Sequence, residues 1–249
     1  MSGEIHMLLE NKICFVTGAG KGLGRATLER FVEEGARAIY ANDIVQGCLD
    51  DYSSGHTQVI PLYFDVSDSA ACKNAMQKIQ KEQEKLDVLV NNAGIMQDAL
   101  IGMITRELLE RVYAVNVFGT AELLQLAAKL MIHQHSGSII NLSSIVATTG
   151  NPGQLVYSGT KGAIISMTKT AAKELGPRGI RVNAIAPGMI DTDMMRSVGE
   201  RHLAIHISHI PMGRLGNPRE IADACVFLAS DMASYISGSV LGVDASVLV

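Results

Sequence analysis

The sequence predicts an α/β fold: one doubly wound, seven-stranded parallel sheet flanked by helices on both faces. Three observations carry this. Short apolar runs alternate with longer segments of helical period along all 249 residues, the rhythm of βαβ units. Several of the runs are apolar on both parities, as strands are when helices cover both of their faces. No linker, low-complexity tract or internal repeat interrupts the alternation, so the reading is a single domain over residues 1–249.

Taken in order, the strands fall at residues 13–17, 38–41, 58–64, 87–91, 138–142, 181–184 and 239–243. The helices fall at 23–34, 69–84, 106–133, 155–175 and 218–230. Two stretches break the pattern, 96–105 and 192–216. The second is rich in Met and His and follows the carboxyl end of a strand, where open α/β sheets bind ligands. It reads as a lid over a substrate pocket.

Composition narrows the function classes. Hydrophobic residues make up 47% and charged residues 18%, which suits a large core and argues against wholesale disorder. The net charge is −4 and no run of Lys or Arg occurs, so no nucleic-acid partner is expected. Cys14, Cys48, Cys72 and Cys225 lie far apart without CxxC spacing and read as reduced packing residues. Residues 1–12 lack the apolar run of a signal peptide, and no stretch approaches the roughly 20 apolar residues of a membrane span. The expected compartment is the cytoplasm.

The first strand ends in a glycine-rich turn, Thr17-Gly18-Ala19-Gly20-Lys21-Gly22-Leu23-Gly24, and a helix follows. Glycines let a backbone turn sharply and approach a pyrophosphate, while the helix N-terminus offers free N–H groups and a positive dipole end. The turn matches neither GxGxxG nor a Walker loop, and in isolation a tight strand–helix turn without a ligand explains it too. Asp43 ends the second strand, where a carboxylate accepts hydrogen bonds from the adenosine ribose and repels a 2′-phosphate. It favours NAD. Lys21 pulls towards NADP, because a cation in the turn would pair with that phosphate. Asn42 is the competing candidate for the strand-end position.

Tyr157 and Lys161 stand four apart at the start of a helix and share a face. An ammonium beside a phenol would lower the tyrosine pKa towards the range of an acid–base catalyst. The pair alone is common and is more often an exposed helical pair. Ser144 changes the balance. It follows the preceding strand by two residues and lies 13 before Tyr157, placed to hold a carbonyl oxygen beside the phenol.

These residues, with Asn91-Asn92-Ala93-Gly94, Asn116 and Pro187-Gly188, resemble the short-chain dehydrogenase/reductase family in order and spacing over roughly residues 10–245. Residues 211–222 and 227–244 are similar to its β-ketoacyl-[acyl-carrier-protein] reductase branch. The resemblance implies a Rossmann fold and a hydride transfer between a nicotinamide and a carbonyl or secondary alcohol. Tyr157 would be the general acid in reduction, and Lys161 would hold the nicotinamide ribose and lower the phenol's pKa. Ser144 would orient the carbonyl, and Asn116 would hold a water that relays protons. Gly18, Lys21, Gly22, Leu23 and Gly24 would surround the pyrophosphate. Asp65 and Val66 would border the adenine, and Asn92, Ala93 and Gly94 would lie along the cofactor. Pro187, Gly188, Ile190 and Thr192 would flank the nicotinamide, Thr192 bonding its carboxamide. Asn116 as a helix kink, Asp65 as an N-cap or loop carboxylate, and Pro187-Gly188 as a plain turn are the bland alternatives.

The resemblance also implies a homotetramer paired through the 106–133 and 155–175 helices, and an acyl carrier protein as partner. Arg178 and Lys129 would supply basic docking residues near the pocket mouth, but His133-Gln134-His135 stands where a second arginine is usual. Asp244-Ala245-Ser246 stands where the family has Asp or Asn followed by Gly-Gly. With the docking patch thinned and Asp43 favouring NAD, an NAD-dependent hydroxysteroid, polyol or other alcohol dehydrogenase is the alternative. A non-catalytic cofactor-binding sensor is the distant one. His202, His206 and His209 share helical spacing, but without acidic or Cys partners no metal site is expected.

Overall fold

Burial on both faces shapes the centre of the molecule. Every residue of β1 (Ile13–Thr17) and β2 (Ala38–Asp43) is buried. Cys14 and Val16 face one apolar cluster while Ile13 and Phe15 face the other, the period-two alternation of a strand covered twice. Five further strands complete the sheet: β3 (Gln58–Tyr63), β4 (Val88–Asn91), β5 (Gly137–Leu142), β6 (Ile180–Pro187) and β7 (Val240–Val243). All pair in parallel, in the order β3-β2-β1-β4-β5-β6-β7. The order reverses between β1 and β4, and the crevice beyond their carboxyl ends is where such sheets take ligands. The computed structural model describes residues 7–50, 52, 56–196 and 207–247.

Helices α1 (Gly22–Glu33) and α8 (Pro218–Ala229) cover one face, with Leu28, Phe31, Ile221 and Cys225 in the core beneath them. On the other face α2 (Ser69–Gln83), α4 (Thr120–Gln134) and α6 (Leu155–Leu175) bury Met76, Ile79, Leu123, Met131 and Leu175. Three shorter helices join these, α3 (Arg106–Tyr113), α5 (Val146–Thr149) and α7 (Asp193–Arg196). Side chains fix several starts. Asp68 accepts from the N–H groups of Ala70 and Ala71 to cap α2, Thr105 accepts from Leu108 to cap α3, and Asn217 forms a capping box with Glu220 on α8. At α1 the capping position falls to Lys21, which makes no such bond.

Three expectations are corrected. The continuous helix at 106–133 is instead α3, a π-helical turn over Ala114–Gly119, and α4. By length and composition the whole run Arg106–Gln134 could cross a membrane, so the expectation that no stretch approaches that length fails. Its apolar residues Leu123, Ala127 and Met131 are instead spent on the sheet. The strand at 181–184 runs on to Pro187, because Ala184–Pro187 pair in register with Val240–Val243. That extension carries the chain to the crevice.

The two irregular stretches differ. The first holds a 3-10 turn at Ile101–Met103. The second is closed at its base: Ile190 bridges Gly216, the Asp191 N–H donates to the Gly216 carbonyl at 2.8 Å, and the Gly216 N–H donates to the Met189 carbonyl at 2.9 Å. Much of the stretch between, including His202 and His206, lies outside the described residues, and His209 is exposed.

Candidate active site

The glycine turn is built for close approach. Gly18 and Gly22 take φ of +62° and +56°, the left-handed region where a side chain is strained. Gly24 packs so tightly that a Cβ there would collide with the Gly18 carbonyl and with Asn92. Because Lys21 caps nothing, the first N–H groups of α1 have no side-chain partner. Among the described residues a Cβ at Gly22 would meet only Thr192 Cγ2, at 3.9 Å, which leaves the turn open on that side. Uncapped donors beside an open, glycine-lined hollow fit the pyrophosphate of a dinucleotide.

Asp43 lies under this turn. Its Oδ2 accepts from the Gly20 N–H at 2.9 Å and its Oδ1 from the Val45 N–H at 3.0 Å. Asn42 is spent elsewhere, donating to the carbonyls of Leu62 and Phe64 at 3.1 and 2.9 Å, so Asp43 is the strand-end group at the crevice. Lys21 is exposed at the rim and Leu23 packs against the core. The Asn92 side chain donates to the carbonyls of Thr17 and Gly18 at 2.9 and 3.0 Å, while the Asn92 and Ala93 N–H groups donate to the Thr17 hydroxyl. These bonds lock the end of β4 to the turn. Asp65 accepts from the Ser67 N–H and hydroxyl, a loop carboxylate in its own Asx turn, and Val66 is buried against Gly119.

Further along the crevice the other residues converge. The Ser143 N–H donates to the Ile185 carbonyl and the Ile145 N–H to the Pro187 carbonyl, which holds Ser144 beside the end of β6. The Ser143 hydroxyl donates to the Lys161 carbonyl at 2.9 Å, tying this loop to α6. The Ser144 hydroxyl lies close enough to the Tyr157 phenol to hold its pKa down. Asn116 accepts from the Ile95 N–H at 2.8 Å, donates to the Ile95 carbonyl at 2.9 Å and donates to the Thr160 hydroxyl at 3.1 Å. A Cβ on Gly94 would stand 3.3 Å from Asn116 Oδ1 and 3.5 Å from Lys161 Nζ, so these three meet at one point. Asn116 therefore does sit in a helix distortion, the π turn, and that turn aims it at the site. Beyond Pro187, the Gly188 N–H donates to the Val243 carbonyl at 3.0 Å, Ile190 is buried, and Thr192 reaches back towards Gly22.

The electrostatics differ from the simple expectation. Burial pushes the Tyr157 phenol up to about 12, with the Asp98 carboxylate adding to the rise and the Ser144 hydroxyl opposing it. Burial pushes Lys161 down to about 8. The expected lowering of the phenol by the ammonium does not occur, for a geometric reason. Lys161 Nζ donates to the Leu142 carbonyl at 2.7 Å and lies 5.6 Å from the centre of the Tyr157 ring, over the ring rather than at its hydroxyl.

Sequence reasoning missed Asp98 and Gln154, which meet each other close to Tyr157. Gln154 Nε2 lies 3.4 Å from Asp98 Oδ2 and 3.2 Å from Met96 Sδ. The available signal was position, since Gln154 stands three residues before Tyr157. Arg178 lies away from the site of its own chain. That residue follows α6, whose first turn carries Tyr157, and about 20 residues of helix put it roughly 30 Å from the phenol. Lys129, on the third turn of α4, is likewise well along its helix from Asn116. Cys14, Cys72 and Cys225 are buried free thiols, as expected of packing residues, whereas half-buried Cys48 lies beside Asp43 and Gly20.

A Rossmann sheet with a glycine cradle at its switch point and a Ser–Tyr–Lys cluster beside it defines a nicotinamide-dependent oxidoreductase acting on CH–OH groups. A family model described as enoyl-(acyl carrier protein) reductase matches residues 18–246. The chain belongs to the short-chain dehydrogenase/reductase family. It is 42% identical to a 3-oxoacyl-[acyl-carrier-protein] reductase of Thermotoga maritima over 98% of this chain and 100% of that one. It is 37% identical to a 3alpha-hydroxysteroid dehydrogenase of Mediterraneibacter gnavus, covering 96% and 98%. Among solved structures, a 3-oxoacyl-[acyl-carrier protein] reductase from Brucella melitensis superposes with a TM-score of 0.92 at 32% identity, covering 98% of this chain and 93% of that one.

Proposed function

We propose that this protein reduces 3-oxoacyl thioesters presented by an acyl carrier protein. The convergence of Ser144, Tyr157, Lys161 and Asn116 at the crevice carries the reading, and the thioester substrate rests on the relatives that share the whole chain. Tyr157, fully protonated at neutral pH, gives its proton to the carbonyl oxygen that Ser144 holds. The nicotinamide, when bound, supplies the hydride to the carbonyl carbon. Lys161 holds the ribose, and Asn116 organises the proton supply behind it. Gly18, Lys21, Gly22, Leu23 and Gly24 surround the pyrophosphate, with Asn92, Ala93 and Gly94 along its other side. Asp65 and Val66 border the adenine; Pro187, Gly188, Ile190 and Thr192 border the nicotinamide. The lid expected over residues 192–216 lies in part outside the described residues, and the bridge between Ile190 and Gly216 closes its base.

Asp43 favours NAD, because its carboxylate lies at the ribose edge of the turn and repels a 2′-phosphate. Lys21 leaves NADP usable. A second reading, an NAD-dependent hydroxysteroid or other secondary-alcohol dehydrogenase, is favoured by the same Asp43 and by the hydroxysteroid relative. The reaction draws on nicotinamide and a carrier protein, which suits the cytoplasm, and the family resemblance implies a homotetramer. Arg178 is too far from its own Tyr157 to bind a carrier at that mouth, so docking on it would involve a neighbouring copy.

The test is a panel of acetoacetyl thioester, a steroid ketone and simple ketones against both cofactors, with Tyr157→Phe alongside. The wild type is expected to reduce the thioester best, and the variant to lose at least about a thousandfold in kcat while keeping its cofactor affinity. A steroid preference installs the second reading. Appreciable turnover by Tyr157→Phe removes the phenol from the mechanism.

A further inference from the structure

Gln154 occupies the N-cap position of α6 yet its side chain caps nothing. It is only 9% exposed, and its amide donor has two poor neighbours, the Met96 thioether at 3.2 Å and Asp98 Oδ2 at 3.4 Å. Sulfur is a weak acceptor, and 3.4 Å is at the outer edge of a hydrogen bond. A nearly buried amide so poorly matched is costly unless something else accepts from it.

Its surroundings fix where that donor sits. The loop carrying Met96 and Asp98 is held at one end by Asn116, which bonds both backbone groups of Ile95. At the other end the Ala99 N–H donates to the Gly153 carbonyl at 2.8 Å. Gln154 is three residues before Tyr157, one helical turn away on the same side. Asp98 meets the Gln154 amide, and its charge reaches the Tyr157 phenol, so amide, carboxylate and phenol are neighbours.

We propose that Gln154 is a specificity-determining residue, donating a hydrogen bond to a second, uncharged carbonyl of the substrate while Ser144 and Tyr157 hold the first. This rests on the 3-oxoacyl reading, in which the second carbonyl is the thioester oxygen two carbons from the reacting ketone. A substrate with one carbonyl leaves the amide with its poor partners, and the site discriminates against it.

The experiment compares kcat/KM for acetoacetyl-N-acetylcysteamine and for cyclohexanone in the wild type and in Gln154→Met, which keeps the length and removes the donor. Gln154→Glu, which keeps the shape and a polar head, is the second variant. The ratio of thioester to ketone activity is expected to fall about tenfold or more in both, the worth of one hydrogen bond to a buried partner. If the wild type prefers the thioester and the ratio is unchanged in the variants, Gln154 has only a structural role and the proposal is overturned. If the wild type reduces cyclohexanone and ignores the thioester, the 3-oxoacyl reading falls first and the proposal with it.

Discussion

Lys161 is 5% exposed and carries its ammonium into a place that water scarcely reaches. Burial lowers its pKa from 10.5 to about 8, a cost of order 3 kcal/mol to the charged folded state. Lys161→Met removes that cost and loses the bond to Leu142, so the variant is expected to be about 1–2 kcal/mol more stable at pH 7, and inactive. The folded-state pKa lies below the unfolded one. Below about pH 8 both states are protonated and the wild type carries the full cost. From there to 10.5 the unfolded chain binds more protons, so wild-type stability rises with pH and the variant's advantage closes. Urea unfolding at pH 7 and pH 10 measures this; an advantage equal at both would mean the ammonium is not desolvated. At this scale the sequence was a partial guide. It left Asp43 and Asn42 both open because register alone cannot say which side chain turns inward to bond β3. Gln154 belongs to no motif, and only its distances to Met96 and Asp98 single it out.

Elements were legible where periodicity is strong, and less so where one residue changes the geometry. All seven strands and the long helices follow from their apolar pattern, and Leu155–Leu175 forms at its predicted bounds. The π turn at Ala114–Gly119 escaped, because a wider turn shifts the helical phase without leaving a compositional mark. The end of β7 makes a related point. Ala245 and Ser246 take φ of +52° and +54°, which explains why the family usually has Gly-Gly here. Each left-handed non-Gly residue costs roughly 1–2 kcal/mol, partly offset by the greater unfolded-state freedom of glycine. Ala245→Gly with Ser246→Gly is therefore expected to raise stability by about 1 kcal/mol, or Tm by roughly 2–4 °C. A Tm that falls in differential scanning calorimetry would mean this backbone is held by contacts the side chains themselves make.

For the whole molecule, what composition could not show is assembly. The run over residues 106–134 and helix α6 turn one side to the core and leave large apolar groups outside: Phe118 is 63% exposed and Leu155 50%. Ile101 and Met103, just before α3, add to the exposed apolar surface. Exposed apolar groups on two helices that the family pairs across a dimer axis suit a buried interface better than a solvated face. A homotetramer is thus the expected solution state, with a mass about four times that of the chain in sedimentation equilibrium. Phe118→Lys places a charge where two apolar faces would meet, and a buried unpaired charge costs several kcal/mol. The variant is expected to sediment as monomer or dimer at micromolar concentration while keeping its far-ultraviolet circular dichroism. Phe118 lies two residues from Asn116, in the same π turn, so turnover should fall as the assembly dissociates. An intact tetramer in Phe118→Lys would show that this part of the helix faces solvent and that other surfaces join the copies.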